Sequence, residues 1–416
     1  MTSTADVAGF AADVEYDRLP TDVREAVKRR LLDVIGVGLR NRNAPQADAV
    51  RRGLTSEGTT AEGGSRLWGS DTTALAPRAA MGNAVSIASG NGPTFLSPTL
   101  APSGGSTAAV VAASETRDIT GEGTIAGLAA ALEVHGECAW NAPLDDLHPA
   151  TQTGIAAAAG AGRTMGLDAE TLTDAIGIVA SRLTLSVGES TDPVPTGSAA
   201  RCGLQACLLA DGGVQAPDTL SAPNGWHDRL GPFELDFDPG CERVRDAAIL
   251  PYDGHPYEQP TIQAAIELAT EVPLDPAEIE SVTVETFDAA ARTIDPFRIA
   301  AALVDRELPV YSGARTDLEP IAGSVTVSAD GELTDQRAQE IFPVRLTVEY
   351  RDGTVFQRDI EEFDGNPRTP ASWGTVEKKF HAIVDGTYGR DRRETIVETV
   401  RAFEAENAAE LARLLR

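Results

Sequence analysis

The groups with which this chain can do chemistry are five histidines, four cysteines and a cationic complement made almost wholly of arginine. Two histidines precede proline, in His148-Pro149 and His255-Pro256. An imidazole with an ordinary pKa of about 6.5 exchanges a proton near neutrality, so His148 is a candidate general acid or base, against the plainer role of a packed histidine at a helix start. His255 lies in DGHPYEQP with Tyr257 beside it. That pair is either a relocated base with a binding partner or part of a turn built on Asp253-Gly254. Arg201 opens ARCGLQACLLA and is suited either to gripping a carboxylate in bidentate fashion or to a structural salt bridge. His135, among the apolar residues of ALEVHGECAW, is expected to be a satisfied core histidine. His227 and His381 carry no signal.

Metal chemistry finds no support. Cys138, Cys202, Cys207 and Cys241 form no CxxC pair, and they are too few for a disulfide framework, so reduced structural thiols are expected. Cys202 and Cys207 are five apart on a predicted helix, about 140° of rotation, so they diverge. Acid runs such as ELDFDPGCERVRD and LDPAEIES lack the spacing of a calcium loop and read as solvated surface. No metal and no cofactor is expected.

Residues 90–105, GNGPTFLSPTLAPSGG, contain no ionisable side chain and lie between segments rich in small apolar residues. The stretch is either a linker or an active-site loop without acid or base. Its polar groups, Asn91, Thr94 and Ser103, can donate hydrogen bonds and cannot supply a base.

Charge narrows the partners. Acids outnumber bases 63 to 35 for a formal charge of −28, and only Lys28, Lys378 and Lys379 are lysines. An acidic, lysine-poor surface is suited to high salt, where self-repulsion is screened to about 3 Å at molar ionic strength. A halophilic cytoplasm is therefore expected. No basic face is present to release counterions from nucleic acid or to sit on anionic lipid, which excludes both as partners. The N-terminus has neither a cationic stretch nor an apolar one, and no run of 18 apolar residues follows, so a soluble cytoplasmic protein is expected.

The elements that must position these residues divide by texture. In PTDVREAVKRRLLDVIGVGL, Val23, Val27, Leu31 and Ile35 recur along one face, with Thr21 the expected N-cap. From about 76 to 215, segments such as STAAVVAASE and GTIAGLAAALEVHGECAW are dominated by Ala and Gly, which predicts closely packed, largely buried helices. After about 270, IESVTVETFD, GSVTVSADG and FPVRLTVEYRDGTVFQRDI alternate with period two. Val344, Leu346, Val348 and Tyr350 share a face, and Asp352-Gly353 marks a hairpin turn. The helical pattern of DPFRIAAALVDREL interrupts these strands, and RETIVETVRAFEAENAAELARLLR returns to helix. The expected fold is mainly α with an α+β lid: a discontinuous all-helical domain over 1–268 and 367–416, and an α+β domain over 269–366. A cleft between them is the default ligand site.

Three segments, DRLPTDVREAVKRRLLDVIGVGL, LHPATQTGIAAAAGAGRTMGLDAETLTDAIGIVAS and FDGNPRTPASWGTVEKKF, resemble in order and spacing those of the MmgE/PrpD family, whose members include 2-methylcitrate dehydratase and cis-aconitate decarboxylase. The resemblance implies a large helical domain with a smaller α+β lid, a homodimer, and no need for a metal or iron–sulfur cluster. It also implies a cleft with a DFDDT-type acidic motif, two histidines in HP pairs, two lysines and a tyrosine, which together hold a polycarboxylate and move a proton beside a carboxylate.

Laid on that pattern, the acidic motif falls on Asn91 to Phe95, its acids replaced by Asn91, Pro93 and Thr94. The first HP histidine falls on Ala101 and the second survives as His148. The lysines fall near Asp192 and on Leu250, and the tyrosine on Phe297. No lysine occurs between Lys28 and Lys378, so the loss of both does not depend on the alignment. Two functions follow as expectations. One is a lyase or isomerase of carbon–oxygen or carbon–carbon type acting on a small carboxylate, with His148 and His255 as catalytic candidates and Asn91, Thr94, Ser103, Arg201 and Tyr257 as binding candidates. The other is an inactive homologue that binds a ligand or pairs with an active paralogue.

Overall fold

The structure is a computed structural model that describes residues 1–55, 63–142, 144, 147–182, 184, 192–272, 274–306 and 315–416. The chain forms two compact units, residues 1–247 with 383–416, and residues 248–382.

The first unit is a stack of helices whose small residues set how closely they cross. Gly121–Asn141 packs on Ala150–Met165. A Cβ on Gly160 would lie 2.6 Å from the carbonyl oxygen of Gly127 and 2.7 Å from a Val110 methyl, so the two backbones meet where any side chain would separate them. Gly203, in Val194–Asp211, repeats this arrangement against the Gly154 carbonyl at 2.7 Å. The Ala and Gly texture is thus the signature of backbone-close packing. The Thr21–Asn41 helix buries Val23, Val27, Leu31 and Ile35, but it is capped by Pro20, not Thr21. Pro20 takes an extended conformation and its carbonyl receives the Arg24 N–H at 3.0 Å, which leaves Thr21 as the first helical residue.

The second unit is a four-stranded sheet in the order Val325–Ala329, Ile279–Thr286, Val344–Tyr350, Val355–Ile360. The first pair is parallel and the others antiparallel, and a parallel pair needs a crossover. That crossover carries the Pro296–Asp305 helix; residues 307–308 of the expected longer helix lie outside the described residues. Val344, Leu346 and Val348 are buried in the core with Ile262, Leu268 and Ile299. The hairpin turns at Gly353, where φ is +85° and the Asp352 carboxylate accepts the Thr354 N–H.

The unit boundaries fall at 247/248 and 382/383, where periodicity suggested 268/269 and 366/367. The Gln259–Glu271 helix explains the shift at the first of these: it packs on Pro296–Asp305, Val344–Tyr350 and Val355–Ile360. Helical periodicity shows that a segment is a helix and says nothing of which core it joins. Near the C-terminus the helical segment is two helices, Arg390–Arg401 and Ala408–Leu414, with a turn at Phe403–Ala405 between them; the Asn407 side chain caps the second by accepting the Glu410 N–H.

Candidate active site

His148 stands two residues before the Ala150–Met165 helix and is half-buried. Its Nδ1 accepts the Ala150 N–H at 3.0 Å, and its own N–H donates to the Thr184 carbonyl at 2.8 Å. Nδ1 therefore carries a lone pair, and the neutral ring bears its proton on Nε2. Burial lowers the His148 pKa, and the nearby Asp192 carboxylate opposes that shift in part. The neutral form prevails at physiological pH.

Three helices of the first unit begin at this place. Gly105, in the first turn of Gly104–Arg117, lies so close to the first turns of the other two that a Cβ there would stand 2.9 Å from the Thr153 methyl and 2.6 Å from the Thr196 methyl. Thr153 is in the opening turn of the His148 helix, and Thr196 in that of Val194–Asp211. Each helix N-terminus carries about half a positive charge, so the convergence is cationic without any lysine. Asp192 accepts the Val194 N–H at 3.0 Å and places one full negative charge beside it.

The 90–105 stretch is no linker. Thr94–Phe95 and Ala101–Pro102 pair as an antiparallel ladder, Phe95 opposite Ala101, and Phe95 packs into a cluster with Ala101, Ala139 and Ala247. The Thr94 hydroxyl donates to the Gly92 carbonyl at 3.0 Å and the Ser103 hydroxyl to the Pro93 carbonyl at 3.0 Å. Both hydroxyls are buried, so their protons hold the loop and are not offered to a ligand. Asn91 is partly buried at the start of the loop.

His135 departs from expectation. It is fully buried against Phe95, ring centroids 5.6 Å apart, but neither ring nitrogen has a hydrogen-bond partner among the described residues. It is a core histidine without satisfaction, and burial lowers its pKa to about 4.

In the second unit, His255 caps the Pro256–Glu258 turn. Its Nδ1 accepts the Tyr257 N–H at 3.2 Å, and its N–H donates to Glu258 at 2.6 Å. It too is neutral with the proton on Nε2; burial first, then the Arg298 cation, lowers its pKa. Tyr257 belongs to an aromatic group, its ring 5.2 Å from both His255 and Phe287. Phe297 and Leu250, at the two positions where the resemblance implies a tyrosine and a lysine, are respectively partly and fully buried.

Arg201 does not join the helix starts. It is exposed and lies seven residues into its helix, about 10 Å along the axis at 1.5 Å per residue, where it lines a separate cavity. The four cysteines are free, and among the described residues no group of three or more His, Cys, Asp or Glu is placed to hold a metal ion. No described helix is long and apolar enough to cross a membrane.

Residues 5–233 match the model of the MmgE/PrpD N-terminal domain, and residues 296–405 match that of the MmgE/PrpD C-terminal domain. The chain belongs to the MmgE/PrpD family. No curated protein matches it. Membership places it in a family of lyase-like, dehydratase-type proteins. The first match contains His148, the 90–105 loop, Asp192 and Arg201, whereas His255 and Tyr257 fall between the two matches. What the sequence reading missed is the meeting of three helix starts around His148. Its local signal is Gly105, which permits close approach and does not say to what.

Proposed function

We propose that this MmgE/PrpD protein is a lyase or isomerase that acts on a small carboxylate by proton transfer next to the carboxylate group. The observation that carries the reading is His148: a neutral imidazole at the meeting of three helix N-termini, in the part of the chain that matches the family's N-terminal domain. A neutral ring whose Nδ1 is held by the helix offers Nε2–H to an oxygen on which charge develops, and helix ends stabilise the same charge. Asp192, whose carboxylate acts on His148 electrostatically, is the group that takes the substrate proton in this reading. His255 has the same protonation form and is kept as a second catalytic candidate. The reading extends to a high-salt cytoplasm, suited to the acidic surface, and to a homodimer.

A second reading, a ligand-binding homologue without turnover or a partner of an active paralogue, is favoured by one observation. In the loop that carries acids in the family pattern, Thr94 and Ser103 here spend their hydroxyl protons on the loop's own carbonyls. One experiment separates the two. Purified protein in molar salt is assayed against a panel of mono-, di- and tricarboxylates, with His148→Ala and His255→Ala beside it. Turnover lost in His148→Ala supports the enzyme, undiminished turnover in that variant removes His148 from the mechanism, and thermal stabilisation without turnover supports the binding protein.

A further inference from the structure

Away from the starts of two of these helices, Gly104–Arg117 and Val194–Asp211, lies a cavity of about 610 Å³ in the first unit. It is lined by Arg78, Arg117 and Arg201, and by no acid among the described residues. In a chain with 63 acids and 35 bases this described lining is rich in guanidinium, and Arg201 is its uncommitted member, since Arg78 has a partner of its own. The three arginines come from different helices: Arg78 from the first turn of Ala76–Ala88, Arg117 from the last turn of Gly104–Arg117, and Arg201 from mid-helix in Val194–Asp211. Arg201 makes no ion pair or hydrogen bond among the described residues, and Arg117 spends only Nη2, on Asp211 at 2.7 Å. The N-terminus of Ala76–Ala88 also opens here, without a side-chain cap, and adds its partial positive charge.

The remaining walls are mostly apolar, with Thr116 and Gln205 as further polar groups. Leu75, Leu208 and Leu209 line the cavity while staying 54%, 41% and 38% exposed, and large side chains of this kind are covered when something occupies the site. The volume lies within the range of small-molecule pockets, roughly 300–1,000 Å³. Leu208 is fourteen residues beyond Val194, about 21 Å along the helix, so this site is separate from the His148 end.

We propose that this cavity is a second ligand site, one that takes a small amphiphilic carboxylate: the carboxylate on Arg201 with Arg117, the hydrocarbon body on Leu75, Leu208 and Leu209. The guanidinium fork matches a carboxylate in bidentate geometry, and apolar contact favours a chain of several carbons over a bare dianion.

The test is calorimetric titration of the full chain with hexanoate and with hexan-1-ol, in fixed salt. Hexanoate is expected to bind more tightly than the alcohol. Arg201→Gln is expected to weaken about tenfold, the scale of a charge-assisted hydrogen bond, the hexanoate binding that persists in a His148→Ala background, so that carboxylate held at the His148 end is told apart. Leu208→Ser, which keeps the charges, is expected to weaken both probes. Circular dichroism on each variant confirms folding. Equal binding of the two probes, unchanged hexanoate affinity on adding Arg201→Gln to that background, or loss of binding in His148→Ala alone overturns the assignment. So does sedimentation showing self-association that Arg201→Glu releases, with no hexanoate bound, because the cavity would then be part of a subunit contact.

Discussion

Replacement of His135 tests the physical reasoning most directly. Its imidazole is fully buried beside Phe95, with both nitrogens unpartnered among the described residues, and burial of a polar group without a hydrogen bond costs about 1–3 kcal/mol. Leucine has a similar volume and no polar atom, so His135→Leu is expected to stabilise the helical unit by about 1 kcal/mol or more at pH 7.5, after allowance for imperfect repacking. Acid enlarges the difference. The folded pKa is held at about 4, whereas an unfolded histidine titrates near 6.5. Below 6.5 the unfolded chain takes up a proton that the folded chain refuses, so stability falls as pH drops from about 6.5 to about 4, by about 2 kcal/mol at pH 5 and roughly 3 kcal/mol in full. The assay is urea unfolding of parent, His135→Leu and His135→Gln at pH 7.5 and 5.0 in identical molar salt. Both variants should lose the pH-dependent part, and only the leucine should gain at pH 7.5. A leucine variant that is less stable by more than about 1 kcal/mol at pH 7.5, with the parent's pH dependence intact, would mean that the ring has a partner and that this account of it is wrong.

Three further outcomes follow from the packing and the charges. Asp192→Asn is expected to tighten carboxylate binding about tenfold by removing a negative charge beside the helix starts, and to cut turnover at least about a hundredfold by removing the base, so KM and kcat fall together; a kcat that is unchanged would exclude Asp192 as the base. Gly160→Ala forces a methyl to within 2.6 Å of the Gly127 carbonyl and should cost about 1–3 kcal/mol in urea unfolding, whereas Gly9→Ala, with nothing near its Cβ position, should not. The Lys28 ammonium is buried and bonded to Glu25, Glu404 and the Arg401 carbonyl. Burial depresses its pKa and the two carboxylates more than offset that, leaving it raised. Lys28→Met is therefore expected to cost about 1–3 kcal/mol at pH 7 despite its apolar side chain, read as a lower urea midpoint.

What was legible in the sequence was legible because the signal is local. Val344, Leu346 and Val348 alternate with period two and fill one face of the sheet, and Asp352-Gly353 turns the hairpin, since both depend on neighbours in the chain. The Ala- and Gly-rich helices announced close packing for the same reason, and the missing lysines needed only counting. The rest was set by contacts between distant residues. Nothing local in ALEVHGECAW tells that His135 finds no partner, because that depends on what Phe95 and the surrounding helices present to it. Nor does the loop sequence tell that Thr94 and Ser103 turn their hydroxyls onto Gly92 and Pro93. The sequence offers Arg201 as either a carboxylate grip or a salt-bridge residue, but the arginines that line the cavity with it, Arg78 and Arg117, stand 123 and 84 residues away in the chain (201 − 78 and 201 − 117). The same holds for the Gln259–Glu271 helix, whose amphipathic face fits either core until the sheet is seen beneath it.

The charge around His148 bears on which carboxylates the proposed activity admits. Three helix starts contribute about half a positive charge each, some 1.5 in all, and Asp192 removes one. A net of about half a positive charge suffices to orient a single carboxylate, the more so because the partly buried setting strengthens each interaction. It falls well short of offsetting the three charges of a tricarboxylate, for which the resemblance implies lysines that this chain lacks between Lys28 and Lys378. The second and third carboxylates would face Asp192 with no cation among the groups placed at this site, and like charges a few ångströms apart disfavour binding by more than helix ends return. Monocarboxylates, or acids whose further polar groups are hydroxyls or amides, are therefore the members of the substrate panel expected to turn over first. Removal of the Asp192 charge should widen binding toward dicarboxylates while it abolishes the proton transfer that would make use of them.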